Sequence, residues 1–320
     1  MESHLPWLRG GDDHLRHRLR AAFCLCGYCA PGVLIPRALL QKALKLEMAG
    51  GNRLLGSILG ALCREGLLIR KRGGVAICPP QDSFARQIDK AGARSQLPVL
   101  ADVLARVSFE GLHAANWVLL EQLAPHLRVA ASYAENAGLG QASVVWTNLG
   151  AFLRSQKRYT GALDCFQRAL AFDRNIYGDV HASVATDNNN LGLVFQDLGQ
   201  LQEARLAFER ALEINLTLFG EEHPKIANRY NNLGCLMLKS GNFEAAEAYF
   251  DRALQIAEKA LGKQHPRVAT ILNNLAVALA EMGDTEGARQ ACQRALVIFE
   301  MSLPPDHPDL LTVRRNLGVE

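Results

Sequence analysis

From Gln141 onward, apolar positions recur with helical spacing and then return with a much longer period. Counting from Ser143 as position 1, bulky residues fall at positions 4, 7 and 11 (Trp146, Leu149, Leu153), and small ones at 8, 20 and 27 (Gly150, Ala162, Ala169). An aromatic ring, Phe166, stands at position 24. Apolar residues three and four apart predict a helix on each side of a short break. Three separate triplets then repeat with one 42-residue step. They are Asn148-Leu149-Gly150, Arg168-Ala169-Leu170 and the Gly178-x-x-His181 loop, which reappear as Asn232-Leu233-Gly234, Arg252-Ala253-Leu254 and Gly262-x-x-His265. Three triplets locked to one step predict one helix pair per step, stacked as a solenoid.

The small and large positions inside the step resemble the tetratricopeptide repeat. Small residues stand where two helices touch, at Ala162, Ala204, Ala246 and Ala288. Large ones fill between them at Phe166, Phe208 and Phe250, with Cys292 in the fourth repeat. The step is longer than the usual one and carries a Gly-x-x-His-Pro loop, which resembles the repeats of kinesin light chain. The resemblance covers 141–320 and implies four repeats plus a C-terminal capping helix over Pro308–Val319. It also implies a right-handed superhelix with an inner groove that binds a protein or peptide.

Ahead of the repeats the pattern changes. Helices are predicted over Asp13–Tyr28, from Ile35-Pro36-Arg37 with the proline in the first turn, and over Arg53–Glu65. Leu67–Cys78 reads as a hairpin of two β-rich runs about Gly73-Gly74. Three helices and one small hairpin make a winged-helix-like domain over 1–80. A helical connector follows over 81–140, with helices at Pro80–Ala93, Leu97–Val107, Leu112–Leu123 and Pro125–Asn136. It covers the apolar end that a first repeat would otherwise expose. The expected fold class is therefore all-α, a solenoid preceded by a domain with one hairpin.

The phrase Cys29-Ala30-Pro31-Gly32-Val33-Leu34-Ile35-Pro36-Arg37 is similar to the winged helix of bacterial STAND ATPases of the NB-ARC type. Asn116-Trp117 through Pro125-His126 resembles the linker that leads to tetratricopeptide repeats in that family. The resemblance implies the sensor arm of a regulator, with an NTPase domain N-terminal to this segment as a further partner. Two departures stand against an ATPase. Gly51-x-x-x-x-Gly56-Ser57 lacks the lysine of a phosphate loop, and Ile77-Cys78-Pro79-Pro80 lacks the histidine that touches nucleotide in that family.

Composition narrows the remaining chemistry. A net charge of +3 does not by itself call for nucleic acid or an anionic membrane. No apolar run approaches the ~18 residues of a membrane span, and Met1–Arg20 is too polar for a signal peptide. Eight scattered cysteines fit reduced thiols in a cytoplasmic protein. Cys24, Cys26 and Cys29 cluster without a zinc spacing, and no nucleophile–base arrangement or phosphate loop stands out. Neither an enzyme nor a cofactor is expected. His181, His223, His265 and His307 lie a full repeat apart, too far to share an ion, and are expected to begin helices.

Helical geometry places positions 2, 5, 9, 12 and 13 of each repeat on the inner wall. Position 5 is Thr147, Asn189, Asn231, Asn273 and Arg315 in successive units, and at the three asparagines a carboxamide can both donate to and accept from an extended peptide backbone. The adjacent Asn190, Asn232 and Asn274 are expected to bridge helices. The competing reading of the first row is that asparagine pairs merely hold neighbouring repeats together. Arg154, Gln196 and Lys239 complete the candidate peptide-binding wall, with Asn228 and Arg229 at its edge, and favour a segment of mixed acidic and apolar character. The alternative function is DNA binding through Arg70, Lys71 and Arg72 on the hairpin. The third helix, apolar but for Arg53 and Arg64, offers few side chains to read bases, so nucleic acid is not the expected partner.

Overall fold

The computed structural model describes residues 13–46, 51–64, 67–77, 81–91, 96–110 and 117–318. Its contacts divide the chain into an N-terminal unit, Met1–Phe172, and a C-terminal unit, Asp173–Glu320. The expected boundaries lay after residues 80 and 140.

In the N-terminal unit, α1 (Asp13–Gly27) packs on α3 (Gly51–Arg64), α4 (Gln81–Ala91) and α5 (Gln96–Glu110). Its centre is largely apolar, with Phe23, Leu25, Ile58 and Leu62 at most 1% exposed. The sheet has three antiparallel strands in the order β1-β3-β2, built from β1 (Ile35–Pro36), β2 (Leu68–Lys71) and β3 (Gly74–Ile77). The expectation of one hairpin thus gains a strand. Ile35 and Pro36 pair with Val75 and Gly74, and the second helix, α2 (Arg37–Ala43), begins only after them, with Pro36 at its cap. Proline is tolerated on this edge strand because its missing N–H breaks no interior ladder. Gly74 is required there, since a Cβ would stand 2.1 Å from the Ile35 carbonyl oxygen.

The two connector helices expected around Pro125 are one helix, α6 (Trp117–Asn136), with the proline inside it. Residue 112, where the earlier of them was to begin, lies outside the described residues, as do Cys78, Pro79 and Pro80. His126 follows that proline and is fully buried. Its Nδ1 accepts the Ala30 N–H at 3.0 Å, and its Nε2 donates to the Leu34 carbonyl at 2.7 Å. One neutral imidazole therefore pins α6 to the segment leading into β1. Burial lowers its pKa, opposed by the Leu34 hydrogen bond. The first repeat, α7 (Gln141–Ser155) and α8 (Tyr159–Tyr177), begins in this unit, where α7 packs on α5 and α6. Buried Asn148 donates to the Ala105 carbonyl and to Ser108 Oγ, fixing α7 on α5.

The C-terminal unit consists of three helix pairs and a final helix: α9 (Ala182–Asp197) with α10 (Leu201–Phe219), α11 (Pro224–Lys239) with α12 (Phe243–Leu261), α13 (Pro266–Glu281) with α14 (Thr285–Ser302), then α15 (Pro308–Leu317). Each pair is one 42-residue step, and α10 packs on α11, α12 on α13 and α14 on α15. Within a pair the close approach is made by glycine against a ring. A Cβ on Gly192 would stand 2.5 Å from Phe208, and one on Gly234 would stand 2.5 Å from Phe250. Gly150 meets Phe166 in the same way within the N-terminal unit.

Candidate functional site

The recurring histidines set where each first helix of a pair starts. His181, His223, His265 and His307 occupy N-cap positions, and their Nδ1 atoms accept the N–H two residues on, at 3.1–3.2 Å. The bond satisfies one of the four amides that a helix start leaves open. Pro224, Pro266 and Pro308 follow in the first turn, where no N–H is needed. His181 and His223 also stack on Tyr177 and Phe219, with ring centroids 4.3 and 4.6 Å apart. With its start fixed in this way, each helix brings positions 5 and 6 to the same place in successive repeats, an asparagine pair in α9, α11 and α13 and Arg315-Asn316 in α15.

Those pairs form a chain of side-chain hydrogen bonds. Asn232 Nδ2 donates to Asn189 Oδ1 at 2.7 Å, Asn274 Nδ2 to Asn231 Oδ1 at 2.9 Å, and Asn316 Nδ2 to Asn273 Oδ1 at 2.9 Å. Every bond spans 43 residues, from position 6 of one repeat back to position 5 of the one before. The position-5 oxygens are therefore held by the solenoid itself, which leaves the NH2 groups, that of Asn231 also making a long donor contact of 4.0 Å to Cys235 Sγ within its own helix. Asn189 is buried, while Asn231 and Asn273 are half-buried. Asn316 joined this chain unnoticed in the sequence, although its Asn-Leu-Gly triplet was the signal.

The other candidate residues are distributed unevenly. Lys239 and Gln196 are brought together, the lysine Nζ donating to the Gln196 carbonyl at 2.5 Å. Asn228 is half-buried on α11. Arg229 is buried at 9% exposure rather than standing at an open edge. Burial lowers its pKa to about 10. Arg154 belongs to α7 in the N-terminal unit and is half-buried. Arg70 and Lys71 are exposed on β2, with Arg72 in the turn, and Lys71 Nζ donates to the Gly32 carbonyl at 2.5 Å.

The fourth repeat differs from the others. Where Phe208 and Phe250 press on glycine, it has Cys292 opposite Ala276, and a cleft of about 440 Å³ opens beside them. Val277, Ala280, Thr285 and Leu317 also line it. Burial raises the Cys292 thiol. Cys24, Cys26 and Cys29 are buried in the N-terminal unit, where loss of solvation pushes Cys24 and Cys29 up to about 12 and makes them poor thiolates. Among the described residues no group of three or more His, Cys, Asp or Glu side chains is placed to hold a metal ion. Among them, too, no helix is long and apolar enough to cross a membrane.

The family model described as "Tetratricopeptide repeat" matches residues 141–217, 188–259, 238–300 and 267–319, over half of the chain. The chain belongs to the tetratricopeptide-repeat family. Its repeats are those of a protein–protein interaction scaffold. No curated protein sequence matches the chain. Among solved structures it is similar to BtubC (BKLC) from P. vanneervenii, at 22% identity and a TM-score of 0.51, over 70% of this chain and 87% of that one. It is also similar to a putative kinesin light chain with nearly identical repeats from Podosopora anserina. The identity there is 16% and the TM-score 0.53, over 65% of this tetratricopeptide chain and 99% of that one. These likenesses establish the solenoid fold.

Proposed function

We propose that α9, α11, α13 and α15 present a shared face to an extended segment of another protein. The observation that carries this reading is the row at position 5. In α9, α11 and α13 a carboxamide has its oxygen fixed by the next repeat, which orients its NH2 group, and the half-buried Asn231 and Asn273 then supply donors for peptide carbonyls. A row of such donors recognises backbone rather than sequence, which suits a scaffold. Side-chain preference then comes from the wall around Asn228, Gln196 and Lys239 and favours a partner segment of mixed acidic and apolar character.

Substitution by aspartate separates the two uses of the row. Asn231→Asp and Asn273→Asp keep an oxygen for Asn274 and Asn316 but remove the donor. Peptides selected from a random displayed library on the full chain should bind the doubly substituted chain at least tenfold more weakly, with thermal stability unchanged. Equal binding by both chains would sink the proposal.

The similarity of the N-terminal segment to the winged helix of STAND ATPases supports a wider reading. In it the repeats are the sensing arm of a non-enzymatic, cytoplasmic regulator, and an NTPase domain receives the signal. The exposed Arg70 and Arg72 favour a second reading, contact with DNA phosphates. Duplex binding that weakens steeply with salt and disappears in Arg70→Ala/Arg72→Ala would favour it, and absence of duplex binding at low salt would end it.

A further inference from the structure

The fourth repeat lacks the ring that closes each of the other three. Phe166, Phe208 and Phe250, at position 24, are at most 2% exposed and lie against the glycine at position 8. Cys292 takes that place in α14, and Ala276 opposite it returns a single methyl group. Two more positions shrink in the same repeat. Position 12 is Arg154, Gln196 and Leu238 before it becomes Ala280, and position 17 is Tyr159, Leu201 and Phe243 before it becomes Thr285. Ala276, Ala280, Thr285 and Cys292 all line the cleft of about 440 Å³ between α13, α14 and α15. The space given up by the missing side chains is therefore gathered in one place.

The three helices are held together without filling it, because Leu272, Ile298 and Val313 are buried in one shared apolar cluster. The repeats themselves say what fits the cleft, since an aromatic ring from the chain occupies the equivalent position three times over. An apolar cavity of about 150 Å³ is enough for a benzene ring, so this cleft takes a ring and part of a neighbouring side chain. Two charged residues, Glu281 and Arg289, stand at its exposed edge. Arg289 is already neutralised by Glu286, through bonds at 2.7 and 3.0 Å. Glu281 makes no ion pair among the described residues. The charge left over at the cleft is thus negative.

We propose that the cleft receives an aromatic side chain of a partner protein that carries a lysine or arginine next to it in sequence. The ring lies against Cys292 and Ala276, in the role that Phe250 plays within the third repeat, and the cation pairs with Glu281. The ring supplies most of the binding through the apolar surface it removes from water. The exposed ion pair sets the preference for a basic neighbour. This inference adds a side-chain pocket to the proposed face; it rests on the partner being a protein but not on the asparagine row.

Methyl resonances of Val277 and Leu317, which line the cleft, report its occupancy in the full chain. Titration with the peptide acetyl-Gly-Phe-Lys-Gly-amide should shift both to saturation. Alanine in place of the peptide's phenylalanine should weaken binding about tenfold. Glutamate in place of its lysine should weaken binding about threefold, and Glu281→Gln should remove that difference. Cys292→Phe combined with Ala276→Gly restores the arrangement of the other repeats, so this chain should fold at least as stably as wild type and no longer bind the peptide. Ala280→Leu fills the cleft from an exposed position, where folding is not at stake, and should also weaken binding. Asn231→Asp, which tests the donor row, should respond as wild type does, so failure of that row and failure of this pocket are seen separately. Equal affinity for the phenylalanine and alanine peptides would overturn the proposal, as would undiminished binding by Ala280→Leu. Benzene that shifts both methyls while the peptide shifts neither would assign the cleft to free apolar molecules and overturn it as well.

Discussion

At Gly234 a single hydrogen atom decides whether two helices can meet. Any side chain there would stand 2.5 Å from the Phe250 ring, well inside van der Waals contact. Gly234→Ala should therefore cost about 1–3 kcal/mol of stability, by overpacking and not by loss of an interaction. Chemical denaturation of the variant measures this. Phe250→Cys combined with Gly234→Ala reproduces the arrangement of the fourth repeat, so the pair should cost less than the sum of its single changes. The asparagine bonds make a second expectation at this scale. Asn274→Ala leaves Asn231 Oδ1 without its donor, and should lower stability by about 1 kcal/mol by the same assay. The sequence showed which asparagines recur, but the bonding partner lies 43 residues away and depends on how far one repeat is displaced from the next. Neither spacing nor propensity encodes that displacement. For the same reason Arg229 could be assigned to a helix but not to its interior side.

At the level of elements, starts and stops were legible wherever a local bond defines them. The His-Pro pairs fix the beginnings of α11, α13 and α15 through an acceptor two residues ahead of its donor. Removing that acceptor in His223→Ala should cost about 1 kcal/mol, and His223→Asn, which restores an oxygen at the cap, should recover most of it. Thermal melts of the two variants give the comparison. Elements defined by tertiary neighbours were harder to read. Strand β1 is two residues long and carries no period of its own, and it exists because Val75 and Gly74 pair with it. Helix α6 continues past Pro125, although proline ordinarily favours a boundary before it. Its His126 gives a pH expectation whose sign follows from the lowered pKa. The neutral ring makes both bonds to Ala30 and Leu34, so its contribution is present above the ordinary histidine pKa and is lost as pH falls through the folded value. Wild type should lose stability below about pH 6.5 more steeply than His126→Gln, as followed by melting temperature against pH.

For the whole molecule, the solenoid is a nearest-neighbour structure whose helix pairs pack on the next pair in line. Such a chain keeps equivalent positions on the same face step after step, and the proposed donor row rests on this regularity. The exposed ion pairs from a helix to a neighbouring loop or helix, such as Arg252 with Glu221 and Arg314 with Glu300, add little to stability. In the proposed reading, partner recognition rests instead on the half-buried amides. The most direct test observes those amides themselves. Side-chain NH2 resonances of Asn231 and Asn273 should shift on titration with a selected peptide, while those of Asn232 and Asn274, already committed to the ladder, move less. Unchanged Asn231 and Asn273 resonances at saturating peptide would contradict the account.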